Sequence, residues 1–94
     1  MKIIVQRRAE IALRSLQKSE QKQIARALDE LSKADRKLLY GSPKIHKLAA
    51  GYSNKNLFIY KGTTKLRLIL SLTNDSCILE DIVDHDRLDR LSVS

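Results

Sequence analysis

The stretch "LRLILSLTNDSCILEDIVD", residues 66–84, constrains the fold more than any other part of the chain. Leu66, Leu68, Leu70 and Leu72 recur with a period of two. In an extended backbone they share one face, and Lys65, Arg67, Ile69 and Ser71 share the other. "TNDS" is built of turn formers and leads into a second apolar run, Cys77 to Val83. A third run, Leu57 to Tyr60, precedes the first across "KGTT". The spacing predicts a three-stranded antiparallel meander with a leucine-rich face that needs cover.

The first half supplies that cover. "KIIVQ", residues 2–6, reads as a short strand that most simply adds at a sheet edge. In "RRAEIALRSLQKS" the residues Ala9, Ala12, Leu13 and Leu16 fall at helical spacing. A second helix is expected from a Ser19 cap, with Ile24, Ala27, Leu28, Leu31 and Leu38 in one stripe and Gly41 as its stop. Lys22, Arg26, Asp29, Lys33 and Arg36 lie off that stripe. The expected fold is therefore α+β: an N-terminal strand, a two-helix hairpin and the meander. At 94 residues, with no linker-like run or repeat, residues 1–94 are read as a single domain.

Composition narrows the function. The apolar runs are short and interrupted, far from the roughly 20 residues of a spanning helix, so a cytoplasmic protein is expected. Cys77 has no second cysteine to pair with and reads as a small buried hydrophobe. The net charge is +7 and unevenly spread. Residues 1–47 hold 12 Lys and Arg against 5 Asp and Glu, whereas residues 48–94 hold 6 against 6. Such a basic half suits a polyanionic partner, nucleic acid or an acidic protein, or else a surface kept charged for solubility.

Arg67 interrupts a leucine-rich strand, where an arginine is costly to bury unless it is paired or faces an open groove. It could clamp a phosphate, or bridge to Glu80 or Asp81 on the adjoining strand. His85 falls where the last strand runs out. Its ordinary pKa near 6.5 suits acid or base work. The plainer alternative bonds it to a local carbonyl, to Asp84 or to Asp86. His46 and Lys47, in the basic segment "PKIHKL", and Lys65 flank the approach to the sheet, and Tyr60 could stack on a base or be an ordinary strand tyrosine. The two histidines lie too far apart in sequence, without an obvious third ligand, to read as a metal site, and no Gly-rich phosphate loop or nucleophile motif is present. No cofactor is expected.

The segments "KIHKLAAG", "NLFIYKGTTKLRLIL" and "CILEDIVDHDR", in this order after a strand–helix–helix start, resemble the RelE/ParE toxins of bacterial toxin–antitoxin modules. The resemblance implies a ribosome-associated endoribonuclease that cleaves mRNA in the ribosomal A site, held inactive by an acidic antitoxin. By position, Arg67 matches the arginine of the family's middle strand, Lys47 the lysine of its Lys-Leu approach, and His85 the basic or histidine position after its last strand. Asp86 stands where many relatives carry arginine, Leu66 where an aromatic is common, and "DRLDRLSVS" lacks the tyrosine that some RNA-cleaving members use. The ParE branch implies a different activity, inhibition of DNA gyrase. Charge alone would fit a non-catalytic nucleic-acid-binding module.

Overall fold

A computed structural model describes residues 1–35, 37, 39, 41–47 and 57–84. The elements follow the chain as β1 (Lys2–Val5), α1 (Arg7–Arg14), α2 (Lys18–Lys33), β2 (Ile45–Lys47), β3 (Leu57–Lys61), β4 (Leu66–Leu72) and β5 (Ser76–Asp84). The five strands form one sheet in the order β1-β5-β4-β3-β2. The expected meander is β3–β4–β5, antiparallel throughout, and β1 joins β5 in parallel at one edge.

The opposite edge departs from expectation, because Ile45–Lys47 forms a fifth strand paired antiparallel with β3. Three residues carry too little alternation to announce a strand. Their extended form is set by pairing, with Ile45 opposite Tyr60 and buried in the core. The helices are also shorter than their spacing predicts. Ser19 lies inside α2, and Gln17 is the cap, its backbone N–H donating to Glu20 Oε1 at 3.3 Å. At the other end Ala34 turns extended (φ −78, ψ 145), and the Asp35 carboxylate takes the Lys37 N–H at 2.9 Å. That bond caps a further helical turn, in which the Leu39 N–H donates to Asp35 O at 2.9 Å. Leu38 lies outside the described residues, while Leu39 is buried.

The leucine face behaves as predicted. Leu66, Leu68 and Leu70 pack with Ala9 of α1, with Ile24, Ala27 and Leu31 of α2, and with Cys77, Leu79 and Ile82. Leu68, Leu70 and Leu79 are wholly removed from solvent. Gly62, just past β3, is required by this packing: a Cβ there would lie 3.0 Å from Ile24 Cδ1 and 3.3 Å from Leu68 Cγ. Three side-chain or terminal hydrogen bonds tie the helices down, one of them across 31 residues. The Met1 amino group donates to Ser32 O at 2.7 Å, and Gln21 Nε2 donates to Leu13 O and Leu16 O at the end of α1 (3.0 and 3.2 Å).

The far face of the sheet is less polar than its alternation suggests. Leu57, Ile59, Ile69 and Val83 form a separate small cluster there, with Ile69 fully buried. A β-bulge between Ile69 and Leu70 leaves Ile69 opposite Asp81 but Leu70 opposite Leu79.

Candidate functional site

Strand register sorts the candidate residues onto rows across the far face. One row runs His46–Ile59–Ile69–Asp81 and the next Lys61–Arg67–Val83. His46 and Arg67 thus share the far face, two strands and one row apart, or roughly 12 Å at about 4.8 Å per strand and about 3.3 Å per residue. Lys47 is opposite Phe58, and the pleat turns it toward the helix side. His85, expected at the rim of this face, lies outside the described residues.

Arg67 is half-buried, and its partners are neither of the carboxylates considered from sequence. Its Nη1 donates to three carbonyls of the β3–β4 turn: Thr63 O (2.8 Å), Thr64 O (3.2 Å) and Leu66 O (3.2 Å). The same turn is closed from inside by Thr63 Oγ1, which accepts the N–H groups of Lys65 (3.2 Å) and Leu66 (2.9 Å). One edge of the guanidinium is therefore committed to fixing the hairpin. Among the described residues Nε and Nη2 carry no hydrogen bond and remain available as a donor pair. Lys65 is exposed at the turn, and Lys61, which the sequence reading did not single out, lies directly beside Arg67 in the register.

Ser71 Oγ on β4 donates to Glu80 Oε2 on β5 at 2.7 Å. Asp81 is 4% exposed; its Oδ1 accepts the Ile82 N–H at 2.8 Å, while Oδ2 has no partner among the described residues. The geometry corrects the reading of Tyr60 as a stacking platform. Its ring is in the core, 5% exposed, with the phenol 3.4 Å from Glu30 Oε2. Burial first, then the Glu30 charge and hydrogen bond, push its pKa above the usual 10.0. Burial likewise pushes the Cys77 thiol up to about 11, against an opposing pull from the N-terminal ammonium, so it is a poor nucleophile.

A recess of about 290 Å³ opens between α2 and the β3–β4 turn, lined by Arg26, Glu30, Lys44, Lys61, Thr63 and Thr64 among others. That these cations meet was not legible in the sequence, because only the register of β2 on β3 brings Lys44 beside Lys61, whose N–H donates to Lys44 O at 3.0 Å. Among the described residues no three His, Cys, Asp or Glu side chains are grouped to hold a metal ion, and no helix is long and apolar enough to cross a membrane.

Among the described residues, α1 and α2 laid on one face of a five-stranded sheet, with β1 paired in parallel with β5, make up an α+β fold. Three solved structures share it. The archaeal RelE–RelB complex from Pyrococcus horikoshii OT3 matches with a TM-score of 0.69 at 16% identity, covering 92% of this chain and 96% of that one. A copper-bound mutant toxin from Helicobacter pylori matches at 0.56 with 15% identity, and a metal-bound toxin from the same organism at 0.53 with 17%. Each of these two alignments covers 94% of this chain and 98% of the other. No protein-family model matches the chain, and no curated protein matches it significantly.

Proposed function

We propose that this chain is the toxin of a toxin–antitoxin module and acts as a metal-independent endoribonuclease on mRNA in the ribosomal A site. The observation that carries this reading is the end-to-end likeness to the archaeal RelE–RelB complex, which spans 92% of the chain. That complex also motivates an acidic antitoxin as the partner here, since the chain carries +7.

Cleavage of this kind needs three services. A base takes the proton of a 2′-hydroxyl; the 2′-oxygen attacks phosphorus; the bond to the 5′-oxygen breaks as an acid protonates it. The products are a 2′,3′-cyclic phosphate and a 5′-hydroxyl end. Arg67 is suited to the phosphorane charge, because the turn carbonyls hold one edge of its fork while Nε and Nη2 have no partner among the described residues. His85 is assigned the proton transfer, typically worth a factor of about 10² to 10⁴. His46, on the same face as Arg67, is the second acid or base, and Lys47 and Lys65 hold flanking phosphates.

The test is inducible expression in a bacterial host with mapping of mRNA 5′ ends. Wild type produces new ends inside coding regions, and Arg67→Ala and His85→Ala lose them. Growth arrest with intact mRNA and DNA damage would transfer the reading to gyrase. Absence of arrest would remove it.

A further inference from the structure

We infer that the recess between α2 and the β3–β4 turn is a second RNA-binding site, in which Arg26 and Lys44 hold backbone phosphates, with Lys61 at its border with the far face. The inference rests on the RNA-directed reading above and adds a site to it. Three cations reach this recess from three different segments: α2, the lead-in to β2, and the end of β3. Glu30 is the one acid among its lining residues, and it is already shared. It pairs with Lys44 at 3.7 Å and takes the Tyr60 hydroxyl at 3.4 Å. Among the described residues Arg26 and Lys61 have no carboxylate partner, so the recess holds an excess of positive charge that an anion would relieve.

The walls are set in advance. Gly62 lets the turn lie close against Ile24 of α2, where an added Cβ would stand 3.0 Å from Ile24 Cδ1. Arg67 grips the turn from the other side through Thr63 O and Thr64 O. The turn that carries the Thr63 and Thr64 side chains is thereby fixed. Lys44, Lys61 and the turn also line an adjoining recess of about 410 Å³ with Pro43. Two recesses that share Lys44 and Lys61 in their walls suit a strand that runs past better than a single enclosed nucleotide. Among the described residues the lining offers cations and hydroxyls rather than aromatic rings, which suits contact with phosphate.

The experiment is fluorescence anisotropy of the purified chain with labelled single-stranded RNA oligonucleotides of two unrelated sequences, from 50 to 200 mM salt on the order used for such titrations. Arg26→Gln and Lys44→Gln, both at exposed positions, are compared with wild type after thermal melts establish that they fold. Each substitution should lower the slope of log K against log salt by about 0.7 and weaken both oligonucleotides alike. Unchanged slopes, or no RNA binding by wild type, would overturn the site. So would polyglutamate displacing RNA from wild type as well as an equal charge of unlabelled RNA does, since the recess would then be a site for an acidic protein. The readout needs neither cleavage nor growth arrest. Lost slope without mRNA cleavage would leave this site and remove the endoribonuclease, and cleavage with unchanged slopes would do the reverse.

Discussion

The two faces of the sheet are built from alternate residues of the same strands, yet they do different work. The helix side is one continuous core into which Leu68 and Leu70 project with Ile24 and Leu31. The far side has four apolar residues at its centre and carries His46, Lys61 and Arg67 around them. Neighbours in sequence, Leu68 and Arg67, thus belong to different problems. Stability should be concentrated on one face, and RNA chemistry on the other.

The largest effect that could break this division is a cavity. Leu68→Ala should cost about 4 kcal/mol and Ile69→Ala about 2 kcal/mol in urea unfolding, since both are fully buried but Ile69 has the smaller cluster around it. Equal losses would mean that the far face is a second core. Next in size is Gly62→Ala, where the new methyl meets Ile24 and Leu68; a loss of about 1 to 3 kcal/mol is expected, read as a lower melting temperature. Arg67→Ala should cost only about 1 kcal/mol, the net worth of its turn contacts, while abolishing growth arrest. A collapse of stability would make Arg67 a structural residue.

The smallest effect is at Tyr60. Tyr60→Phe loses a long hydrogen bond and should change stability by about 0.5 kcal/mol at neutral pH. Its pH dependence is more informative. Because the folded pKa is raised, the neutral phenol's contribution is complete below pH 10.0 and lost as pH rises through the raised value. Wild type should therefore fall in urea midpoint above pH 10 more steeply than Tyr60→Phe. Parallel curves would mean that the ring is not held in the core beside Glu30.

How much of this could be read without coordinates follows the same division. The leucine alternation, the edge position of β1 and the stripe through Ile24, Ala27 and Leu31 were legible, because burial imposes a period that a one-dimensional pattern retains. The short strand at Ile45–Lys47 was not, since pairing with β3 rather than its own pattern makes it extended. That omission hid which of two adjacent residues faces Arg67: His46 does, and Lys47 does not. The partners of Arg67 were hidden too, because backbone carbonyls of a turn leave no trace in side-chain identity. Arg26, Lys44 and Lys61 are remote in the chain, and only the folded register shows that they meet.

The central claim is that Arg67 acts by its planar fork, anchored on one edge and open to phosphate on the other. Arg67→Lys tests it most directly, with urea unfolding and mRNA 5′-end mapping performed on the same variant. The account predicts stability within about 1 kcal/mol of wild type and no new mRNA ends, since lysine keeps the charge but not the two-edged geometry. New ends at wild-type frequency would contradict it.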